Sequence, residues 1–206
     1  MKITLKKPFF VMAGCLFTLL LSLPTSSLAI ENGQDAPDFT LPNPLGDRVS
    51  LSSFKDKKVV LEWMNPGCPF VKKHYKNGDM QALQKKYREQ GVVWLVINST
   101  NPNHQDHLSP DDAKKVAEEW KIDPAFMLFD SAGIVGKQYG AKTTPHMFVV
   151  DNGKVVYQGA VDDDSDVFSE PSKAVNYVTT SLEAIAKGEK ISTAQTSPYG
   201  CSVKYQ

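Results

Sequence analysis

Val59-Val60-Leu61-Glu62-Trp63-Met64-Asn65-Pro66-Gly67-Cys68-Pro69 is the stretch on which the reading of the fold turns. Residues 59–63 form an apolar run of strand length interrupted only by Glu62, and such a run reads as a strand buried on both faces. Pro66-Gly67 then signals a tight turn, and Pro69 suits the first position of a helix, where a backbone N–H is not needed. Cys68 is therefore expected where a buried strand gives way to a helix. There its sulfur faces unpaired amide N–H groups and the positive end of the helix dipole, which favours thiolate over thiol. Lys72 and Lys73, about a turn further on, could add positive potential, although long exposed lysines are weak in that role. Gly67 and the flanking prolines specify an exposed turn, whereas the alternative fate of such a residue is that of a small buried hydrophobe.

Working outward, residues 30–50 read as an extended, proline-punctuated segment in which Phe39 and Leu41 alternate toward a core. Met80, Leu83 and Tyr87 have helical spacing, and Asn77-Gly78 ahead of them kinks or splits the helix. Residues 92–98 are a second buried strand. Ser109-Pro110-Asp111-Asp112 is a capped helix start, followed by the apolar stripe Ala113, Val116, Ala117 and Trp120. A short strand is expected around 126–129, then a turn at Asp130-Ser131-Ala132-Gly133. Met147 to Val150 and Lys154 to Tyr157, joined by Asp151-Asn152-Gly153, predict an antiparallel hairpin. A last helix over 175–186 places Val175, Val178, Leu182 and Ile185 on one face. Strands alternating with helices and closed by a hairpin predict an α/β fold, a mixed central sheet flanked by helices.

The chain has 206 residues, 41% apolar and 22% charged, with 23 basic and 23 acidic side chains. That balance excludes collagen-like, disordered and polytopic membrane classes. Residues 1–29 differ from the rest: Lys2, Lys6 and Lys7 without an acid, an apolar run from Pro8 to Leu23, then Pro24 and the small residues Ser26 to Ala29. This is the layout of an export signal. A retained anchor helix and a lipoprotein cut at Cys15 are the alternatives. The expected organisation is a signal over 1–29, one domain over 30–188 and a C-terminal tail over 189–206. Without the signal the chain is slightly acidic and has no basic stripe for nucleic acid. No membrane contact is expected after signal removal. Two cysteines then remain, Cys68 and Cys201, in a compartment where disulfides persist.

Several stretches resemble the thioredoxin-like superfamily, and within it the redoxin branch of alkyl hydroperoxide reductases and thiol-specific antioxidant proteins. Gly33-Gln34-Asp35-Ala36-Pro37-Asp38-Phe39-Thr40-Leu41 is similar to the leading segment of that branch, and Val59 to Trp63 followed by Cys68-Pro69 to its active strand and turn. Thr144-Pro145 before Phe148-Val149-Val150-Asp151-Asn152-Gly153-Lys154 resembles the segment that holds a cis-proline beside the active sulfur. The resemblance implies a thioredoxin-like fold and a thiol-based oxidoreductase, with Cys68 as nucleophile and Gly67, Pro69, Thr144 and Pro145 shaping the substrate groove. It also implies a peroxide or protein disulfide as substrate and a thiol electron donor, with no cofactor.

The departures are specific. Val71 stands where a dithiol thioredoxin has its second cysteine. Asn65 and Leu61 stand where a peroxiredoxin has its threonine or serine and its proline, and neither Arg48 nor Arg88 falls at the peroxide-polarising position. Cys201 is left as the resolving thiol, carried on a mobile tail that Tyr199 and Tyr205 dock. The alternative is a non-catalytic binding module with a permanent Cys68–Cys201 staple, worth up to roughly 5 kcal/mol on chain-entropy grounds. Whether the two sulfurs meet within one chain or between chains, and the oligomeric state, stay open.

Glu62, a charge in a buried strand, must find a partner or a proton and is a candidate acid relaying protons to Cys68. His74 and His146 flank the expected site as candidate proton donors. His104, Asp106 and His107 read as a solvated loop rather than a metal site. Asp162, Asp164 and Asp166 alternate like a calcium loop, but Val167 and Lys173 stand where its glycine and glutamate belong, so a solvated acidic loop is expected.

Overall fold

In the computed structural model, residues 1–2, 29–169 and 173–206 are described. Residues 3–28 of the expected signal, Cys15 among them, lie outside the described residues. Two short strands, β1 (Thr40–Pro42) and β2 (Arg48–Ser50), pair antiparallel ahead of β3 (Val59–Trp63). β3 is the middle of a five-stranded sheet. On one side it runs parallel to β4 (Val93–Asn98), which runs parallel to β5 (Met127–Phe129). On the other side, past the two-residue β6 (Thr143–Thr144), it meets β7 (His146–Asp151) antiparallel, and β7 turns into β8 (Lys154–Gly159). Asn152 and Gly153 take positive φ in that turn, as an Asn-Gly hairpin requires.

Alternate residues of β3 enter opposite cores. Val59, Leu61 and Trp63 pack with Leu95, Ile97, Phe148 and Tyr139 on one face. Val60 and Met64 pack on the other with Trp94, Val96, Met147 and Val149. Glu62 therefore shares the face of Val60, the face that also receives Cys68.

The helices follow their signals closely. α1 (Pro69–Lys76) and α2 (Asp79–Glu89) are two helices because Gly78, at φ 82, turns the chain between them. α3 (Pro110–Trp120) begins with the Ser109 hydroxyl accepting from the Asp112 N–H at 3.1 Å, a cap worth about 1 kcal/mol. Three findings differ from the sequence reading. First, α4 (Ile134–Tyr139) follows the turn at 130–133; it is six residues long and contains Gly136, which hid it. The buried Asp130 carboxylate holds its start by accepting from the Val135 and Gly136 N–H groups at 3.2 and 2.8 Å. Second, α5 is Tyr177–Lys187, capped by Asn176, so Val175 lies outside it and is 52% exposed.

Third, the tail expected to be mobile is docked along its length, by backbone pairing that leaves no hydrophobic period in the sequence. It runs beside β8, where the Gln158 N–H donates to Ala194 O and the Thr196 N–H donates to Gln158 O. It then forms β9 (Cys201–Ser202), antiparallel to β6. Finally Asn101 holds Lys204 O and Tyr205 O, and the Tyr205 hydroxyl donates to Ala141 O at 2.8 Å. The Tyr205 ring lies so close to α4 that a Cβ on Gly136 would collide with it. Gly136→Ala is thus expected to help the isolated helix by about 1 kcal/mol yet expel Tyr205. Limited proteolysis would show it as faster cleavage of the last ten residues; unchanged cleavage would contradict this account of Gly136.

Candidate active site

Cys68 is the N-cap residue of α1, its backbone still extended at φ −76 and ψ 125. Asn65, in the position that differs from a peroxiredoxin, builds the turn. Its Oδ1 accepts from the Gly67 N–H at 2.7 Å, its carbonyl accepts from the Cys68 N–H at 3.0 Å, and its amide donates to Thr100 Oγ1. The turn is closely packed at Gly67, where a Cβ would meet the Asp106 carboxylate at 2.8 Å and Asn65 Oδ1 at 3.0 Å. Gly67 and Pro69 are exposed, but Cys68 is only 3% exposed, so the expectation of an exposed sulfur is corrected. The turn faces solvent while its cysteine points inward, under the docked tail.

β9 brings Cys201 to Cys68 within one chain, because Thr144 pairs with Cys201 and the Cys68 thiol donates to Thr144 O at 3.0 Å. The Thr144–Pro145 peptide is cis. Burial pushes the Cys68 thiol up, but hydrogen bonds from the Cys201 and Thr144 side chains and the Val71 and Cys201 backbone outweigh it, and the net shift is downward. The Thr144 hydroxyl is buried and unpartnered while the sulfur keeps its proton, which leaves it free to donate to the thiolate. Cys201 moves the other way, pushed up to about 11 by burial and by its hydrogen bond to Cys68. The two thiols are thus shifted in opposite directions, Cys68 down and Cys201 up.

Neither lysine is among the groups that shift Cys68. Lys72 is exposed. Lys73 is buried, its ammonium donating to Asp164 O and Asp166 O at 2.7 Å each and facing the Asp164 carboxylate at 3.7 Å. The acidic loop that resembles a calcium site is therefore wrapped around the chain's own ammonium.

Glu62 has found three partners. Tyr75 Oη donates to Oε1 at 2.8 Å, and Gln84 Nε2 and Trp94 Nε1 donate to Oε2 at 3.1 and 2.7 Å. Burial still pushes its carboxyl up to about 7. Its hydrogen bonds end on those three side chains, none on Cys68. His146 is on β7 and packs against Phe148, on the sheet face opposite Cys68, its Nδ1 accepting from the Lys142 N–H. His74 shares a hydrogen bond with Tyr199 Oη at 3.1 Å and lies 3.9 Å from Asp162. Burial holds both imidazoles neutral near pH 7, His74 at about 4 and His146 at about 3. His104 Nδ1 accepts from the Asp106 N–H and His107 Nδ1 meets Thr100 O, so the two rings spend these atoms on their own loop.

Tyr199 was legible in the sequence only as a docking aromatic. Its hydroxyl makes a short hydrogen bond to the buried Asp162 carboxylate, and its ring meets Phe70. Gly200 was not singled out at all. At φ 124 its missing Cβ lets the tail lie directly on Thr144 O. The only sequence signal for it is a glycine immediately before the second cysteine.

A mixed sheet with a polarised cysteine at the strand-to-helix turn, facing a cis-proline segment, defines a thioredoxin-like thiol protein. The chain belongs to the Redoxin family, whose model matches residues 31–178. Among its relatives is the thiol-disulfide oxidoreductase ResA of Bacillus thuringiensis subsp. konkukian, 27% identical over 143 residues that span 69% of this chain and 77% of that one. The crystal structure of an uncharacterized conserved protein from Geobacillus kaustophilus has a TM-score of 0.73 and 32% identity, covering 85% of this chain and 93% of that one. That of a hypothetical protein from Sinorhizobium meliloti 1021 has a TM-score of 0.74 and 25% identity, covering 87% and 97%. Among the described residues no helix is long and apolar enough to cross a membrane.

Proposed function

We propose that this redoxin reduces disulfides by exchange, with Cys68 as nucleophile and Cys201 as resolving thiol. The observation that carries the reading is the strand pairing that sets Cys201 against Thr144, whose carbonyl accepts from the Cys68 thiol, so that the two cysteines share one edge. The Cys68 thiolate attacks one sulfur of the substrate disulfide, the S–S bond breaks, and the departing thiolate takes a proton. The Cys201 thiol then gives up its proton and attacks Cys68, which releases the second substrate thiol and leaves a Cys68–Cys201 disulfide. An external dithiol returns the enzyme to its reduced form. Gly67, Pro69, Thr144 and Pro145 form the groove for this substrate. Glu62, titrating near neutrality on the same sheet face, is given the lesser part of taking up protons as the sulfurs ionise.

Disulfide is favoured over peroxide by the whereabouts of the two arginines of the chain. Arg48 donates to Thr40 O and Arg88 faces Asp123, so neither guanidinium is at Cys68 to polarise an O–O bond. Peroxide is expected to react, but slowly, giving a Cys68 sulfenic acid that Cys201 resolves with loss of water. Export belongs to the same reading, with residues 1–29 as the signal, 30–188 as the catalytic domain and 189–206 as the arm of Cys201.

Mass spectrometry of reduced protein given one equivalent of a small disulfide tests the assignment. Wild type is expected to end as an intramolecular disulfide with both substrate thiols released, whereas Cys201→Ser retains one substrate thiol on Cys68. If wild type also keeps the adduct, Cys201 is not the resolving thiol; if the variant carries none, Cys68 is not the nucleophile. If the wild-type bridge is present from the start and resists mild dithiol, the pair is a structural staple.

A further inference from the structure

We propose that residues Tyr199–Ser202 occupy, within the chain, the site of an extended polypeptide substrate, and that this site selects glycine immediately before the reacting cysteine. The inference rests on the reading of Cys68 as the nucleophile and names the substrate class for that site.

β6 offers two residues of strand edge beside the nucleophile, and β9 takes them up, Thr143 opposite Ser202 and Thr144 opposite Cys201. A strand edge next to a reactive group is where an extended chain docks by backbone pairing. The tail places its cysteine in hydrogen-bonding reach of Cys68 from that edge. A partner chain reacting with Cys68 from the same edge must therefore displace the tail.

The fit of Gly200 sets the selection. A Cβ at this position would collide with Thr144 O, come within 2.8 Å of Thr144 C and 3.4 Å of Pro145 Cδ, and the backbone is at φ 124. Side-chain-bearing residues rarely adopt that φ, and backbone atoms on a paired edge cannot step aside. A polypeptide that presents its cysteine along the same path meets the same wall. Tyr199 holds the competitor in place, through Asp162, His74 and the Phe70 ring.

The test uses the full chain with Cys201→Ser, so that only the first exchange is read. Three probes each carry an aryl thiolate as a coloured leaving group: a simple aryl disulfide, a peptide with Tyr-Gly-Cys-Ser, and the same peptide with valine replacing glycine. In each, Cys68 bonds to the probe sulfur and the S–S bond to the aryl group breaks. The tail is released by Gly200→Val or, independently, by Tyr199→Ala, with circular dichroism to confirm folding. With the tail released, the glycine peptide is expected to react at least tenfold faster than the valine peptide. Relative to the simple aryl disulfide, the glycine peptide is expected to gain at least tenfold over the tail-docked chain. Equal rates for the two peptides, or no gain on release, overturn the proposal. Silence of every form toward the simple aryl disulfide would instead remove Cys68 as the nucleophile, and this proposal with it.

Discussion

Replacing Cys68 by serine is expected to lower the proposed disulfide reduction by roughly 10³-fold or more, about 4 kcal/mol of transition-state stabilisation. A serine hydroxyl neither ionises near neutrality nor forms a bond that a thiol can exchange, so no contribution of the fold compensates. The substitution is mild for the structure, because an Oγ in the place of Sγ still donates to Thr144 O. The thermal midpoint should therefore stay within a few degrees of wild type while turnover vanishes, and that separation is the informative result. A Cys68→Ser protein with wild-type turnover would move the chemistry to another residue and remove the proposed mechanism.

Glu62→Gln should change how stability depends on pH by about 3 kcal/mol, from the shift of the carboxyl from 4.5 to about 7. Between those values the folded chain keeps a proton that the unfolded chain releases. The contribution of Glu62 to stability consequently declines as pH rises through that window and is level above it. The buried histidines act in the opposite sense. Held at about 4 and about 3, His74 and His146 bind fewer protons folded than unfolded below pH 6.5, so their contribution is lost as pH falls. A single stability profile mixes the two trends, and the difference between wild type and Glu62→Gln isolates the carboxyl. Urea unfolding at steps from pH 4.5 to 7.5 is expected to show the wild type losing about 3 kcal/mol relative to the variant. A gap that stays constant over that range would mean that Glu62 ionises like an exposed carboxylate.

The parts of the fold legible in the sequence are those with dense local signals. The β3 run, the split at Asn77-Gly78, the Ser109 cap and the Asn152-Gly153 hairpin each rest on a few adjacent residues whose physics is decided locally. What escaped was decided at a distance. α4 is held by Asp130 and by Tyr205 lying on Gly136, and neither contact leaves a period in residues 134–139. The burial of Cys68 is set by a segment more than a hundred residues later in the chain. The same holds for its ionisation, since Lys73, next door in sequence, is turned into the acidic loop while Cys201 and Thr144 do the stabilising. The turn that carries Cys68 could be read from its own motif, but the surroundings of the sulfur required the tail.

The tail's course beside β8 has a further effect, far from the sulfurs. An uncovered outer strand offers its backbone to other molecules and invites polymerisation. Here the tail covers one end of that rim by pairing Gln158 with Ala194 and Thr196, while Gly33 and Gln34 pair with Val155 at the other end, and the opposite rim, β5, is only three residues long. Edge protection and the strand that carries Cys201 thus share one segment, and shortening the chain to free Cys68 would also unmask part of a sticky border.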